Sequence, residues 1–98
     1  MIKQWIEALR SGNYKQGRGT LRSTGNKFCC LGVACDISGV AEWVQSSSVD
    51  YQYDGSFSCM TDRVREKIGL PHGVQSNLII MNDSNAATFQ EIADYLET

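Results

Sequence analysis

The stretch FCCLGVACDISG, residues 28–39, carries the apolar stripe from which the fold can be worked out. Its apolar members recur at the i, i+3, i+4 and i+7 spacing of one helix face: Cys30, Val33, Ala34 and Ile37. Gly39 is typical of a helix C-terminus, because glycine adopts the left-handed conformation without strain. The pattern predicts a helix that turns Cys30 towards the core and leaves Asp36 and Ser38 on its outer face.

Three more helices are predicted on either side of this stripe. Their apolar positions are, in chain order, Ile2, Trp5, Ile6 and Leu9, then Val64 and Ile68, then Phe89, Ile92, Ala93 and Leu96. Gly12 ends the first of these three helices, and the second of the three runs from about Asp62 to Ile68, before Gly69. Thr88 and Glu91 form a capping box at the start of the last.

Alternation of polar and apolar residues predicts two β-hairpins. In the first, a two-residue turn at Asp54-Gly55 separates strands whose alternating residues are Val49, Tyr51, Tyr53, Phe57 and Cys59. The second is predicted from Thr20 to Cys29, around a turn that contains Gly25. The short apolar run from Asn77 to Met81 is interpreted as a buried strand, although its length does not separate strand from helix.

These elements predict one α+β domain over residues 1–98, with about four short helices packed on one or two antiparallel β-hairpins in a single layer of sheet. Apolar residues make up 42% of the chain and charged residues 20%, as in ordinary folded domains. No segment approaches the ~20 apolar residues that cross a bilayer, so no membrane role is expected. Cys29 and Cys30 are adjacent, which suits buried, reduced thiols better than disulfides.

Three blocks of sequence carry a resemblance. They are WIEALRSGxYxQGxGxL from Trp5 to Leu21, FCCLGVACD from Phe28 to Asp36, and MNDxxxxTFxEIADY from Met81 to Tyr95. With them the chain resembles a group of small uncharacterised bacteriophage proteins. The resemblance implies action in the cytoplasm of an infected bacterial host, where such proteins oppose host defence by blocking a protein or by sequestering a nucleotide signal.

Charge is segregated along the chain. The basic residues Arg10, Lys15, Arg18, Arg22 and Lys27 occur in a stretch without acids, whereas residues 28–62 contain five acids and no Lys or Arg. The basic stretch includes glycines and an aromatic ring, which suits a phosphate and a stacked base. The preferred prediction is a non-enzymatic protein that captures a phosphorylated small molecule or nucleotide through Tyr14, Lys15, Gln16, Arg18, Arg22, Trp43 and Asn82.

Two alternatives remain open. In the first, an acidic hairpin with Asp50, Asp54 and a tyrosine presents itself to a basic host protein and inhibits it. In the second, Cys29 is the nucleophile of a papain-like hydrolase, with His72 as base and Asn82 or Asp83 as orienting group. No cofactor or metal site is predicted, direct DNA binding is disfavoured by the acidic net charge of −2, and homo-oligomers are left open.

Overall fold

The computed structural model describes residues 1–45 and 50–97 and shows an α+β fold. The described part contains five α-helices, a π-helical turn and five short strands. In chain order these are α1 Ile2–Arg10, β1 Lys15–Gln16, β2 Arg22–Ser23, β3 Lys27–Phe28, α2 Cys30–Ser38, β4 Trp43–Gln45, β5 Tyr51–Tyr53, α3 Asp62–Ile68, α4 His72–Ile79, the π-turn Ile80–Ser84 and α5 Phe89–Glu97.

The strands form two small sheets. The first has the order β1-β3-β2, in which β1 runs parallel and β2 antiparallel to β3. The second pairs β4 with β5 in antiparallel register. A single bridge between Ser23 and Asp50 connects the two sheets at their facing edges. The predicted hairpin from Thr20 to Cys29 is therefore confirmed as β2 and β3, and the parallel strand β1 is an addition that the sequence pattern did not predict.

Helix α2 lies at the centre of the molecule. Its residues Cys30 to Cys35 are all buried, with Cys30 fully enclosed as predicted. Gly32 touches the backbone of Leu21, where a Cβ atom would lie 1.8 Å from the carbonyl oxygen. The Nε1 of Trp5 on α1 donates a hydrogen bond of 2.9 Å to the Cys30 carbonyl. Helix α1 in turn packs on α5, and Arg10 bonds Asp94 at that contact.

The four predicted helices are confirmed, although the C-cap of α1 is Ser11 and not Gly12. Gly39 and Gly69 take the left-handed conformation after α2 and α3, with φ of 67° and 88°. At α5 the capping box forms in both directions: the Glu91 amide donates to the Thr88 hydroxyl at 3.1 Å, and the Thr88 amide donates to the Glu91 carboxylate at 2.9 Å. The local signals sufficed here because capping depends on residues three positions apart.

The buried strand predicted from Asn77 to Met81 is wrong. This segment is the end of α4 and the start of the π-turn, with Leu78 fully buried and Ile80 half exposed. A helix places Leu78 inward and Ile80 outward at positions that one strand face would have shared. The signal that was overlooked is Pro71, the N-cap of α4, whose fixed φ of −61° suits the entry into a helix.

The first predicted hairpin is only partly confirmed. Asp54 and Gly55 form the tight turn with φ of 52° and 83°, and Tyr53 and Ser56 exchange hydrogen bonds of 2.8 and 3.0 Å. The return strand through Phe57 does not form, however, because β5 pairs upstream with β4. Val49 lies outside the described residues.

Ser38 is buried, contrary to the prediction that it lies on the outer face of α2. Its hydroxyl donates to the Cys35 carbonyl at 2.7 Å and lies 3.2 Å from the Tyr53 hydroxyl. The β4–β5 sheet therefore covers a helix face that the helical pattern alone leaves in solvent.

Candidate binding surface

Five aromatic rings meet where the two sheets contact α2. Ring centroids lie 5.1 Å apart for Tyr14 and Phe28, 5.8 Å for Phe28 and Trp43, 6.4 Å for Trp43 and Tyr51, and 4.8 Å for Trp43 and Tyr53. Phe28 and Tyr53 are buried, whereas the other three rings are half-buried. We call these five rings, together with the guanidinium of Arg22, the aromatic face.

Arg22 lies over three of the rings. Its guanidinium carbon is 4.3 Å from the centroid of Tyr51, 5.3 Å from that of Phe28 and 5.4 Å from that of Trp43. One terminal nitrogen bonds the side-chain oxygen of Asn26 at 2.5 Å, whereas the Nε is buried without a hydrogen-bond partner. The positive charge is thus held mainly by the electron-rich ring faces.

Asp36 ties the aromatic face to α2. Its carboxylate accepts hydrogen bonds from the Tyr14 hydroxyl at 2.6 Å and from the Trp43 Nε1 at 2.9 Å. Partial burial and this carboxylate together raise the pKa of Tyr14 to about 12. Sequence reasoning missed Asp36 because nothing in an exposed helical aspartate signals that two distant rings will bond it.

The predicted cationic site does not assemble as expected. Arg22 and Phe28 are direct partners across β2 and β3, so their side chains share one face of the sheet. Lys15 pairs with Lys27, the residue before Phe28, and therefore lies on the opposite face. Arg18 is exposed in the loop between β1 and β2. The structure thus brings Tyr14, Arg22 and Trp43 together but separates Lys15 from them.

Gln16 and Asn82 do meet, but in the interior. The Gln16 amide nitrogen donates to the Asn82 side-chain oxygen at 2.8 Å, and that oxygen also accepts from the Cys30 amide at 3.3 Å. The Asn82 amide nitrogen donates to the Gly17 carbonyl at 3.0 Å and to Asp83 at 2.8 Å. Asn82 is fully buried in the π-turn, so this Asn82 network is structural. Both residues lie outside the candidate surface.

The predicted nucleophile, Cys29, is the N-cap of α2, where its sulfur accepts from the Gly32 amide at 3.4 Å. That position favours a lowered thiol pKa, yet burial outweighs the amide hydrogen bonds and raises the pKa of Cys29 to about 11. Asp83 is occupied by the Gly19 amide at 3.1 Å. The side chain of His72 lies outside what the structure describes. The burial of Cys29 therefore disfavours the thiolate that a nucleophile needs.

The acidic hairpin is also partly engaged internally. Asp54 accepts from the Thr61 hydroxyl at 2.6 Å and lies 3.3 Å from Arg63. Tyr53 is buried, and its hydroxyl accepts from the Ala41 amide at 2.9 Å. Tyr51 is the tyrosine of this segment that remains half-buried on the aromatic face.

Three cavities of about 500, 380 and 590 Å³ lie elsewhere on the molecule. The first lies at the end of α2, beside Arg63 and Lys67, and the other two share Ile2 and Leu96 between α1 and α5. None of the three is lined by a predicted ligand-binding residue. Within residues 1–45 and 50–97, no group of His, Cys, Asp and Glu could hold a metal ion, and no helix is long and apolar enough to cross a membrane.

The fold and this surface define a small α+β domain with a preformed, half-buried aromatic face. Residues 1–74 match the model of a family described as a domain of unknown function, DUF8296, and the chain belongs to that family. No curated protein and no solved structure matches the chain. The whole aromatic face lies within the matched residues, whereas Asn82 and Asp83 lie beyond them.

Proposed function

We propose that this chain is a small binding protein that inhibits a partner protein by placing its aromatic face on a basic region of the partner's surface. The observation that carries the proposal is the grouping of Trp43, Tyr51, Tyr14 and Arg22, from four separate segments, in one half-buried surface. Trp, Tyr and Arg are the residue types that dominate the energetic centres of protein interfaces.

The charge around the aromatic face favours a basic partner. Asp36 is exposed, and its carboxylate accepts hydrogen bonds from Trp43 and Tyr14 on the face. Among the six residues of the aromatic face, Arg22 carries the positive charge, and it already lies over the rings. Carboxylates beside an aromatic centre give electrostatic complementarity to lysines and arginines on a partner and accelerate association.

A nucleotide signal is the second candidate, because Tyr14, Arg22 and Trp43 were each predicted as ligand residues and share one group. It ranks lower for two reasons. The exposed carboxylate of Asp36 would repel a polyanion, and Lys15 lies on the opposite side of the sheet. The same variants test both candidates.

We propose the cytoplasm of an infected bacterium as the setting and a host defence protein as the partner. The support is the resemblance of the three sequence blocks to small bacteriophage proteins. A small inhibitor that covers a basic surface needs no catalytic group, which agrees with the burial of Cys29.

The proposal is tested by comparing Tyr51→Ala with Tyr95→Ala. Tyr95 is a matched control because it is a tyrosine, 39% exposed, on the distant helix α5. Bacterial proteins retained by the immobilised chain are quantified by mass spectrometry at low and high salt. We expect a basic protein to be retained by the wild-type chain and by Tyr95→Ala, and its binding to weaken as the salt concentration rises. Tyr51→Ala should lower the affinity for this protein by a factor of about 30 or more, so that it is no longer retained.

Equal retention by the two variants would remove the aromatic face from the interaction. Thermal shifts with a nucleotide panel form the second arm of the experiment. A rise in melting temperature that Tyr51→Ala or Arg22→Ala abolishes would instead support the nucleotide candidate.

A further inference from the structure

Arg22 is held like a bound ligand. Three ring centroids from three different strands, those of Phe28, Trp43 and Tyr51, lie 4.3 to 5.4 Å from its guanidinium carbon. This is the geometry by which aromatic cages recognise ammonium and guanidinium ions, through attraction between the cation and the electron-rich ring faces. The three rings therefore form a preformed cation cage, and the protein's own side chain fills it.

We propose that this cage is a recognition site for a cationic side chain of the partner, an arginine or a lysine, which enters by displacing Arg22. The inference rests on the proposed function and deepens it, because it names the chemical group on the basic partner that the aromatic face takes up. In the free protein, Arg22 then fills the cage, which keeps the three rings in place and the protein soluble.

The contacts of Arg22 suit an occupant that can leave. Within the described residues it forms no ion pair, and its Nε is buried without a hydrogen-bond partner, which leaves part of the guanidinium unsatisfied. Its polar contact is with Asn26, four residues away in the turn after β2. That turn contains Gly25 and Asn26, both with positive φ, and β2 itself is two residues long. Little structure has to be disrupted for the side chain to swing into water.

The rim of the cage supplies an acceptor for an incoming cation. Asp36 bonds the Trp43 Nε1 and the Tyr14 hydroxyl, yet the residue is exposed. A carboxylate has about four acceptor positions, so a guanidinium or ammonium stacked on Trp43 has a charged partner within the same site. An anion would meet the Asp36 carboxylate and the electron-rich faces of the rings. The cage therefore selects positive charge.

The experiment opens the cage with Arg22→Ala and titrates it with guanidinium, with N-acetyl-arginine amide and with tetramethylammonium, against potassium chloride at equal ionic strength. The two tryptophan indole N–H signals in the NMR spectrum are the readout. Trp43 reports on the cage, and Trp5, fully buried and bonded to Cys30, is an internal reference.

In Arg22→Ala we expect a saturable shift of the Trp43 signal at millimolar cation while the Trp5 signal stays in place. In the wild-type chain the same shift should need about tenfold more cation or more, because the tethered Arg22 competes at a high effective concentration. Arg22→Gln keeps part of the stem without the charge and should also bind, so it serves if Ala disturbs the fold, which loss of the Trp5 signal would reveal.

A Trp43 signal that does not move in a folded Arg22 variant, or that moves equally with potassium chloride, overturns the cage. This failure is distinct from failure of the proposed function. If the cage takes no cation but Tyr51→Ala still abolishes partner retention, the aromatic face binds its partner by another group. If the cage binds cations but partner retention ignores Tyr51→Ala, the cage stands and the inhibitory surface lies elsewhere.

Discussion

The aromatic face and the Asn82 network each contain residues that were predicted to bind a ligand, but the two groups of residues are in opposite states. In the network, the oxygen of Asn82 accepts from Gln16 and from the Cys30 amide, its nitrogen donates twice, and the residue has no exposed surface. On the aromatic face the rings of Trp43 and Tyr51 are half-buried, and a guanidinium nitrogen has no partner. It follows that amide and aromatic side chains near glycines indicate a ligand site only where the tertiary contacts leave donors, acceptors or ring faces available.

The largest loss of stability is expected at the contact between Gly32 of α2 and Leu21, the residue before β2. In Gly32→Ala the new Cβ would lie 1.8 Å from the Leu21 carbonyl oxygen, a backbone atom that cannot simply rotate away. We expect a loss of about 3 kcal/mol or more in the free energy of unfolding, measured by urea denaturation. Gly73→Ala is the control, because a Cβ there meets nothing within 4 Å and alanine favours helices. A similar small effect of both substitutions would contradict the close contact.

The second prediction breaks the interior region alone. Asn82→Ala leaves the Gly17 carbonyl and the Cys30 amide without their partner inside the protein, and it removes one of the two hydrogen bonds that the Gln16 side-chain nitrogen donates. We expect the free energy of unfolding to fall by about 3 kcal/mol, because unsatisfied buried groups lose their full hydrogen-bonding energy. Asn77→Ala, on an exposed position of α4, should change stability by less than about 0.5 kcal/mol. Equal losses would mean that the network carries little of the stability.

The third prediction concerns the interior thiols at high pH. Burial raises the pKa of Cys29 from its ordinary 9.0 to about 11, so the thiol stays protonated in the folded chain where the unfolded chain ionises. Its contribution to the free energy of unfolding is complete below pH 9 and is lost as the pH rises from 9 through 11, a loss of about 3 kcal/mol. Urea midpoints measured between pH 8 and 11 test this, and Cys29→Ala should flatten part of the slope. Midpoints that do not change over this range would argue against a buried thiol.

The smallest loss of stability is expected for Trp43, and it is compared with the loss for the buried Trp5. Trp43→Phe removes a hydrogen bond to the exposed Asp36 and should cost less than about 1 kcal/mol of stability. Trp5→Phe leaves the buried Cys30 carbonyl unsatisfied beside a new void and should cost about 2 to 3 kcal/mol. Thermal and urea denaturation of both variants decide the order. A larger cost for Trp43 would show that the aromatic face is a structural core and not a surface held ready for a partner.

Local signals predicted the helices well and the strand pairing poorly. Glycines after α2 and α3 and the capping box at α5 act within a few residues, so the sequence contains all that they need. The partner of β5 was predicted wrongly. Alternation of polar and apolar residues identifies a strand but not the strand that pairs with it. The Asp54-Gly55 turn indicated pairing with the residues after the turn, whereas β5 pairs with β4, which precedes it. Tyr53 settles the pairing by bonding Ser38 and Ala41 from β5.

The candidate site was predicted in part. Tyr14, Arg22 and Trp43 were chosen for their chemistry and do share one surface, but they meet as a cation held by rings and not as a phosphate cradle. Lys15 failed to join them because a one-residue offset in register turns a side chain to the other face of the sheet. Such an offset cannot be read from glycines and charges alone.

The amino-acid sequence alone was enough to predict the fold class, the four helices, the ends of α2 and α3, the capping box of α5, the β2–β3 hairpin and the buried stripe of α2. These features depend on periodicity and on contacts between near neighbours. Which polar residues form hydrogen bonds in the interior, and which remain on the surface, became clear from the tertiary structure alone. Burial and hydrogen bonding join residues as distant as Gln16 and Asn82 or Arg22 and Tyr51. Both depend on the simultaneous packing of every element around α2, which no local pattern encodes.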